Sequence, residues 1–495
     1  CTCGRAGVDG GAPPLGRLAM AQPSCLARRG GHCGRAEPSL ARFALTACVV
    51  FFLEFGPVAF FQDEVKQCYG TDSQVMWTMA VCVKGILSVL VSPTLGALSD
   101  SWGRRPYQAW RALLMPMPLV ALVLGPTALW RGDAVLALHA ATGLCGTLYG
   151  IVMPYCADLT AGQGGGRRMK TTSARLILFS YGPAVACGPP ACAFIVRHMG
   201  RFVMYRSLLA LGAFNLLYTL LAMPESLGAR RNLPDTPRSA AGQPSPTGFH
   251  LEHSEAPNAP ANLNPFRQLR LLGPRSVVGA EVARMLRIAC GVVLFMNLCK
   301  MSILPNAIMY AELRFGWHPD RTGLLITAVG VGHIVAMLAL SISGRGAAEP
   351  AQGGNERAIA WLGLLVALLG VALLSVATVG WLLFPGLFLE ALSMVTYTSL
   401  GSYCGRLTDP SMNGQVQALL GIWLDVSALI GPMSFSATMR WALRHQDWGL
   451  FIQNIPFMAA GLMQLISMAF MWKLPSMEDA YRLSSKTRNV RPMLV

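Results

Sequence analysis

The sequence predicts an all-α membrane protein with twelve transmembrane helices arranged as two six-helix pseudo-repeats. Three observations carry that prediction. Only 13% of the 495 residues are charged while 53% are hydrophobic; a water-facing surface takes roughly 25% charged residues. Mean hydropathy is +0.45, and apolar runs recur that can cross a hydrocarbon core of about 30 Å at 1.5 Å per residue. The longest polar stretch, residues 225–275, follows the sixth of twelve such runs.

In chain order, residues 1–38 are Gly-, Arg- and Pro-rich, a composition expected to form a disordered basic tail. They lack the charged, apolar and cleavage regions of a secretory signal. The sequence starts at Cys1, as a fragment would, or as a stretch translated upstream of a start at Met20 would. The N-terminal half, 39–224, holds runs at 40–61, 74–98, 107–129, 134–156, 171–196 and 203–223. The linker, 225–275, carries Pro234, Pro237, Pro244, Pro246, Pro257, Pro260 and Pro265 among Ser, Gly, Asn and Arg, and reads as flexible. The C-terminal half, 276–474, holds runs at 280–305, 319–343, 358–378, 380–403, 413–437 and 451–472, and a basic tail, 475–495, follows.

The formal charge of +16 would suggest nucleic acid in a soluble chain. Here the arginines sit in short loops and tails, where insertion topology and anionic headgroups account for them and no nucleic-acid partner is expected. Arg104 and Arg105, then Arg167, Arg168 and Lys170, then Arg230, Arg231, Arg238, Arg267, Arg270 and Arg275 fall in even-numbered loops, while Asp63, Glu64, Lys66 and Asp72 make the first odd loop net negative. Both termini and the linker are therefore expected to be cytoplasmic, against dissenting positive charge near Arg197–Arg201 and Arg440–Arg444. The lipid bilayer is the first partner.

The fourteen cysteines lie mostly inside apolar runs without a C-x-x-C pair, so they read as packing residues. Cys1, Cys3, Cys25, Cys33 and His32 match no zinc spacing. No Walker, Rossmann, H-E-x-x-H or G-x-S-x-G motif stands in a fitting context, so neither a cofactor nor an enzymatic activity is expected. Trp102, Trp110, Trp130, Trp317, Trp361, Trp381, Trp441 and Trp448 lie near run ends, the place of an interfacial belt. Tyr149, Tyr181, Tyr310 and Tyr397 are the aromatics positioned to stack a sugar at mid-depth.

Two sets of residues carry chemistry. Between the second and third runs stands Gly96-Ala97-Leu98-Ser99-Asp100-Ser101-Trp102-Gly103-Arg104-Arg105. Gly96 removes a side chain where helices would approach, and Gly103 supplies a turn that other residues resist. Asp100 can face helix-end amides, and Arg104 and Arg105 can bridge to a carboxylate. The second set is charges inside runs: Glu54, Lys84, Lys300, His333, Glu390 and Asp425. Each is costly in hydrocarbon and faces a cavity or a partner. Glu54 lies about 21 Å from one end of its run and Lys84 about 15 Å from the other end of the next, depths compatible with an ion pair that either responds to protons or solute or fixes packing.

The ten-residue turn resembles the signature loop of the major facilitator superfamily, and Pro224-Glu225-Ser226 resembles the P-E-S/T ending of its sixth span. Phe52-Leu53-Glu54-Phe55, Val83-Lys84-Gly85-Ile86-Leu87-Ser88 and Ser92-Pro93-Thr94-Leu95-Gly96 resemble the hippocampus-abundant-transcript family within it. Asn413-Gly414-Gln415-Val416-Gln417-Ala418 resembles that family's Q-G-x-x-Q-G element, with Asn413 and Ala418 departing. The likeness is good over about 45–185, moderate around 400–435 and weak elsewhere. It implies a monomeric secondary transporter that moves a small solute by alternating access, with protons a candidate coupling ion. It also implies a cytoplasmic latch in which Gly96, Asp100, Gly103, Arg104 and Arg105 engage Asp158 and Arg168. Ser343-Gly344-Arg345-Gly346 occupies the equivalent place in the second half without the Asp, so the latch is expected on one side only. Glu54, Lys84, Glu390 and Asp425 are the cavity and coupling candidates. A facilitative uniporter for a sugar or related solute, and a transport-incompetent receptor or scaffold, stay open.

Overall fold

In hydrocarbon every backbone N–H and C=O must be satisfied within the chain, so an apolar run of span length folds as a helix. The computed structural model describes residues 40–125, 128–146, 155–156, 159, 166–225, 267–273, 276, 278–343, 355–408, 412–445, 454–480 and 482–483. Among them, eleven helices are long and apolar enough to cross a membrane, and they coincide with eleven of the twelve expected runs. The fourth run, 134–156, lies partly outside the described residues; helix and a 3-10 turn occupy its first part.

The first run is α1 (Leu40–Phe55) and α2 (Val58–Tyr69), interrupted at Gly56-Pro57, where proline removes a donor and crowds the preceding turn. α3 (Ser73–Trp102) is continuous. The third run divides at Met115-Pro116 into α4 (Arg104–Leu114) and α5 (Met117–Leu124). Next come α6 (Ala128–Ala141), α7 (Gly166–Met199) and α8 (Arg201–Leu221). Beyond the linker lie α9 (Ala280–Phe315), α10 (Pro319–Ser343) and α11 (Glu356–Ser375). They are followed by α12 (Leu383–Ala391), α13 (Met394–Leu407), α14 (Asn413–Arg444) and α15 (Ile455–Trp472). Phe179, Phe194, Phe214 and Leu362 point outward. Such apolar surface is a liability in water and ordinary against lipid.

Of the helix pairs that join elements preceding Glu225 to elements following Ser276, two are the most extensive. Along α3 and α14, Thr78 meets Ser436 at 2.9 Å, the Cys82 thiol meets the Leu429 carbonyl at 3.8 Å, and Ser88 and Ser92 each meet Asp425 at 3.0 Å. Numbers rise on one helix as they fall on the other, so the pair is antiparallel. The α3 positions recur every three or four residues, one face of a helix. Gly85 lets the backbones close: a Cβ there would lie 3.0 Å from Leu429 Cα. The second pair, α7 and α10, is also antiparallel, with Gly182 against Ile334, Ala186 against Gly330 and Pro189 against Gly323.

The arginine-rich turn is tighter than the sequence suggests. α3 runs through Trp102 and α4 starts at Arg104, leaving Gly103 alone between them. Gly103 has φ 111° and ψ 164°, a backbone region that is essentially glycine-only. The Glu225 carboxylate accepts the freed amides of α4, from Arg104 N at 2.8 Å and Arg105 N at 3.1 Å. A carboxylate suits the positive end of a helix, and a Cβ at Gly103 would run into it. Glu225, expected at the start of the linker, is thus tied to α4.

The expected linker and tail are built into the bundle at their described ends. A 3-10 segment, Arg267–Leu272, buries Leu271 in the core. Beyond α15, Met477 and Ala480 are buried and Tyr403 donates to the Pro475 carbonyl at 3.0 Å. Residues 1–39 and 226–266 lie outside the described residues.

Gly103→Ala is expected to destabilise the fold by about 1–3 kcal/mol, the cost of forcing a side chain into that backbone region. Glu225→Gln keeps an acceptor and loses only the charge, about 0.3–1 kcal/mol. Denaturant unfolding of the detergent-purified protein checks both; two unchanged midpoints would show that this corner does not contribute.

Candidate functional site

Residues from eleven of these helices, both antiparallel pairs among them, enclose a cavity of about 310 Å³. Much of its wall is apolar and aromatic, but it also gathers Glu54, Lys84, Arg111, His139, Asn297, Lys300, Glu390 and Asp425. All four charges singled out as cavity candidates from the sequence therefore line one space.

Each charge is held in its own way. Lys84 Nζ lies 2.8 Å from Glu54 Oε1, with both side chains about one-fifth exposed. Asp425, 2% exposed, is held by hydroxyls: Ser88 Oγ donates to one carboxylate oxygen and Ser92 Oγ to the other. Ser88 and Ser92 are one turn apart on α3, so the bridge needs no backbone distortion. Lys300 Nζ lies 2.7 Å from His333 Nε2. One of these nitrogens donates to the other, the roles being set by the ring's tautomer. Glu390, 4% exposed on α12, stands within electrostatic reach of Lys300.

Aromatic rings fix the wall. Tyr181 packs edge-on against Phe51, Phe55 and His333 with centroids 4.7, 5.5 and 4.8 Å away. Trp77 stacks on His139 at 4.6 Å. Of the tyrosines considered for stacking, Tyr181 and Tyr397 line the cavity. Tyr310 instead bonds Asn454 at 2.7 Å away from it, and Tyr149 lies outside the described residues.

Arg111 and His139 were not among the sequence candidates. Arg111 falls near the start of the run expected at 107–129, close behind the arginine-rich turn. With α4 beginning at Arg104, it stands two turns inside the helix and is 1% exposed. His139 and Trp77 sit one per run with no local pattern to mark them; only the tertiary arrangement brings them together.

The signature-loop residues divide. Arg104 is buried and its guanidinium donates to Ser99 Oγ, while Ser99 Oγ donates to the Gly96 carbonyl at 2.9 Å. A Cβ at Gly96 would meet no described atom within 4 Å, so close helix approach is not what the described structure asks of this glycine. Asp158 and the side chains of Asp100 and Arg168 lie outside the described residues, as do 344–346 of the second-half counterpart. The described carboxylate at the turn is Glu225, on the chain's own P-E-S segment.

Among the described residues, no three His, Cys, Asp or Glu side chains converge as metal ligands would. The site is thus a charge-lined cavity between two sets of helices, suited to binding a small solute and to holding or exchanging protons at its carboxylates.

Known proteins share this architecture. The human organic anion transporter MFSD10 (TETRAN) superposes with a TM-score of 0.60 over 88% of this chain and 100% of that one, at 16% identity, a likeness of fold. Hippocampus abundant transcript 1 protein of Homo sapiens is 23% identical over 339 residues, 68% of this chain and 60% of that protein's length. Tetracycline resistance protein, class C, of Escherichia coli is 25% identical over 381 residues, 76% of this chain and 81% of that protein. The Major Facilitator Superfamily model matches residues 43–432. On that match over most of its length, the chain belongs to the Major Facilitator Superfamily.

Proposed function

We propose that this protein is a secondary active transporter that moves a small solute by alternating access, with protons as the coupling ion. The observation that carries the reading is the Asp425 bridge: a buried carboxylate on α14 hydrogen-bonded, among the described residues, by two hydroxyls of α3, at the wall of the central cavity. In this reading the helices of 39–224 and those of 276–474 form two halves that rock about the cavity, and the α3–α14 contact opens in one of the two states. Asp425 then exchanges its hydroxyl partners for water and for a proton. The Glu54–Lys84 pair, between α1 and α3 of one half, travels with that half and responds to solute or proton in the cavity. The linker and both termini lie on the cytoplasmic side. There Gly103, Arg104, Arg105 and Glu225 form the latch, with Gly96, Asp100, Asp158 and Arg168 as its further members.

The charge arithmetic supports proton coupling. The cavity holds three carboxylates and three cations, not counting its histidine, so each proton taken up changes the net charge of the space the solute enters. A desolvated carboxylate feels such a change strongly.

The test is transport by the purified protein in liposomes, screened against sugars, organic acids and cationic drugs. Wild type is expected to accumulate a solute against its gradient when an opposing or supporting pH gradient is imposed. Asp425→Asn is expected to keep solute exchange at equal pH and to lose pH-driven accumulation at least tenfold. Glu54→Gln is expected to lose substrate-dependent proton movement. Flux that ignores the pH gradient and both substitutions would make the protein a uniporter, in which the buried charges only pack helices.

A further inference from the structure

Among the described residues that line the cavity, two of the three cations have partners: Lys84 is held by Glu54 and Lys300 by His333. Arg111 is different. It is 1% exposed, and its Nε and Nη1 make no hydrogen bond. The Glu54 and Asp425 carboxylates stand within electrostatic reach, but the first is engaged with Lys84 and the second with Ser88 and Ser92. A buried guanidinium with idle donors is expensive, and truncating a partner from such a charge typically costs several kcal/mol.

The helix that carries Arg111 is pinned on the N-terminal side of that residue. The α4 N-terminus is capped by Glu225. One turn before Arg111, Tyr107 donates to the Cys145 carbonyl, and Gln108 Nε2 donates to Thr46 Oγ1 at 2.9 Å. Polar side chains on this face of α4 are thus tied to neighbouring elements, and the next in the series is left facing the cavity.

The planar fork of a guanidinium matches a carboxylate with two parallel N–H···O bonds. The same cavity is lined by Phe51, Phe55, Tyr181, Met115 and Met296. At about 310 Å³ the cavity is near the lower end of ligand pockets, which run from about 300 to 1,000 Å³. We propose that Arg111 is the anchor of the cargo subsite and takes the carboxylate of a small organic monoanion, whose aromatic or aliphatic body lies against Phe51, Phe55 and Tyr181. This rests on the reading of the cavity as a solute site.

Equilibrium binding to the detergent-purified protein tests it independently of transport. The probes are benzoate, phenylacetate and hexanoate, each beside its uncharged amide, followed by quenching of tryptophan fluorescence. At least one acid is expected to bind, with its amide at least tenfold weaker. Arg111→Gln is expected to weaken that acid tenfold or more, and Arg111→Lys to fall between. Without ligand, Arg111→Gln should melt at or above the wild-type temperature, because it removes a buried guanidinium whose Nε and Nη1 make no hydrogen bond; a merely structural arginine would lower it. The proposal is overturned if none of the acids binds, if amides bind as well as acids, or if Arg111→Gln binds the acid as tightly as wild type. Flux of the bound acid in liposomes separates the two readings. Arg111-dependent binding without any wild-type flux would sink transport and leave the anchor; flux of uncharged or cationic solutes with no acid binding would do the reverse.

Discussion

Asp425 sits where a helix from the first part of the chain and one from the last part meet, and much of the structure is arranged around that meeting. Its carboxylate spans Ser88 and Ser92, which fixes α3 against α14 in register. Gly85 brings the two backbones close enough for those bonds to form. The cavity opens beside this contact, and the other charges in it are placed relative to α3: Lys84 leaves the same helix one turn earlier and reaches Glu54 on α1. A buried acid satisfied by hydroxyls keeps acceptors and donors matched whether or not it carries a proton, since a hydroxyl can donate or accept. A cation in the same place would have favoured only the ionised form.

Much of the fold was legible because a membrane leaves few choices. A run of about 20 apolar residues can only be a helix there, and eleven expected runs became helices with that length. The ends were less legible. Arg104 and Arg105 read as loop because they are charged, yet they begin α4, since a single glycine completes the turn and Glu225 receives the new amides. Within the expected linker and tail, the burial of Leu271 and Met477 was hidden for a related reason: each is an isolated apolar residue in polar surroundings, and its burial depends on helices far away in the chain.

The site shows the same division. Glu54 and Lys84 could be matched by depth alone, because rise per residue converts sequence position into height in the bilayer. Ser88 and Ser92 could not be linked to Asp425, because the bond crosses more than 330 residues and serine is common in spans. Arg111 was hidden by its company: six residues after a run of arginines, it passes for one more interfacial charge. Only the true start of α4 shows how deep it lies.

The two antiparallel contacts differ in what they would expose if they parted. Between α3 and α14 the facing groups are largely hydroxyls, a thiol and a carboxylate, all of which water can serve as well as the protein does. Between α7 and α10 the facing groups are glycine backbones, Ile334, Ala186 and Pro189, with the Tyr181 ring on His333. Separating those surfaces would forfeit close dispersion contacts for which water offers little in return. Wetting is therefore cheap along one edge of the bundle and dear along the other. A bundle built this way has a side that solvent can unzip and a side that stays dry, so hydration itself would give the proposed rocking a direction.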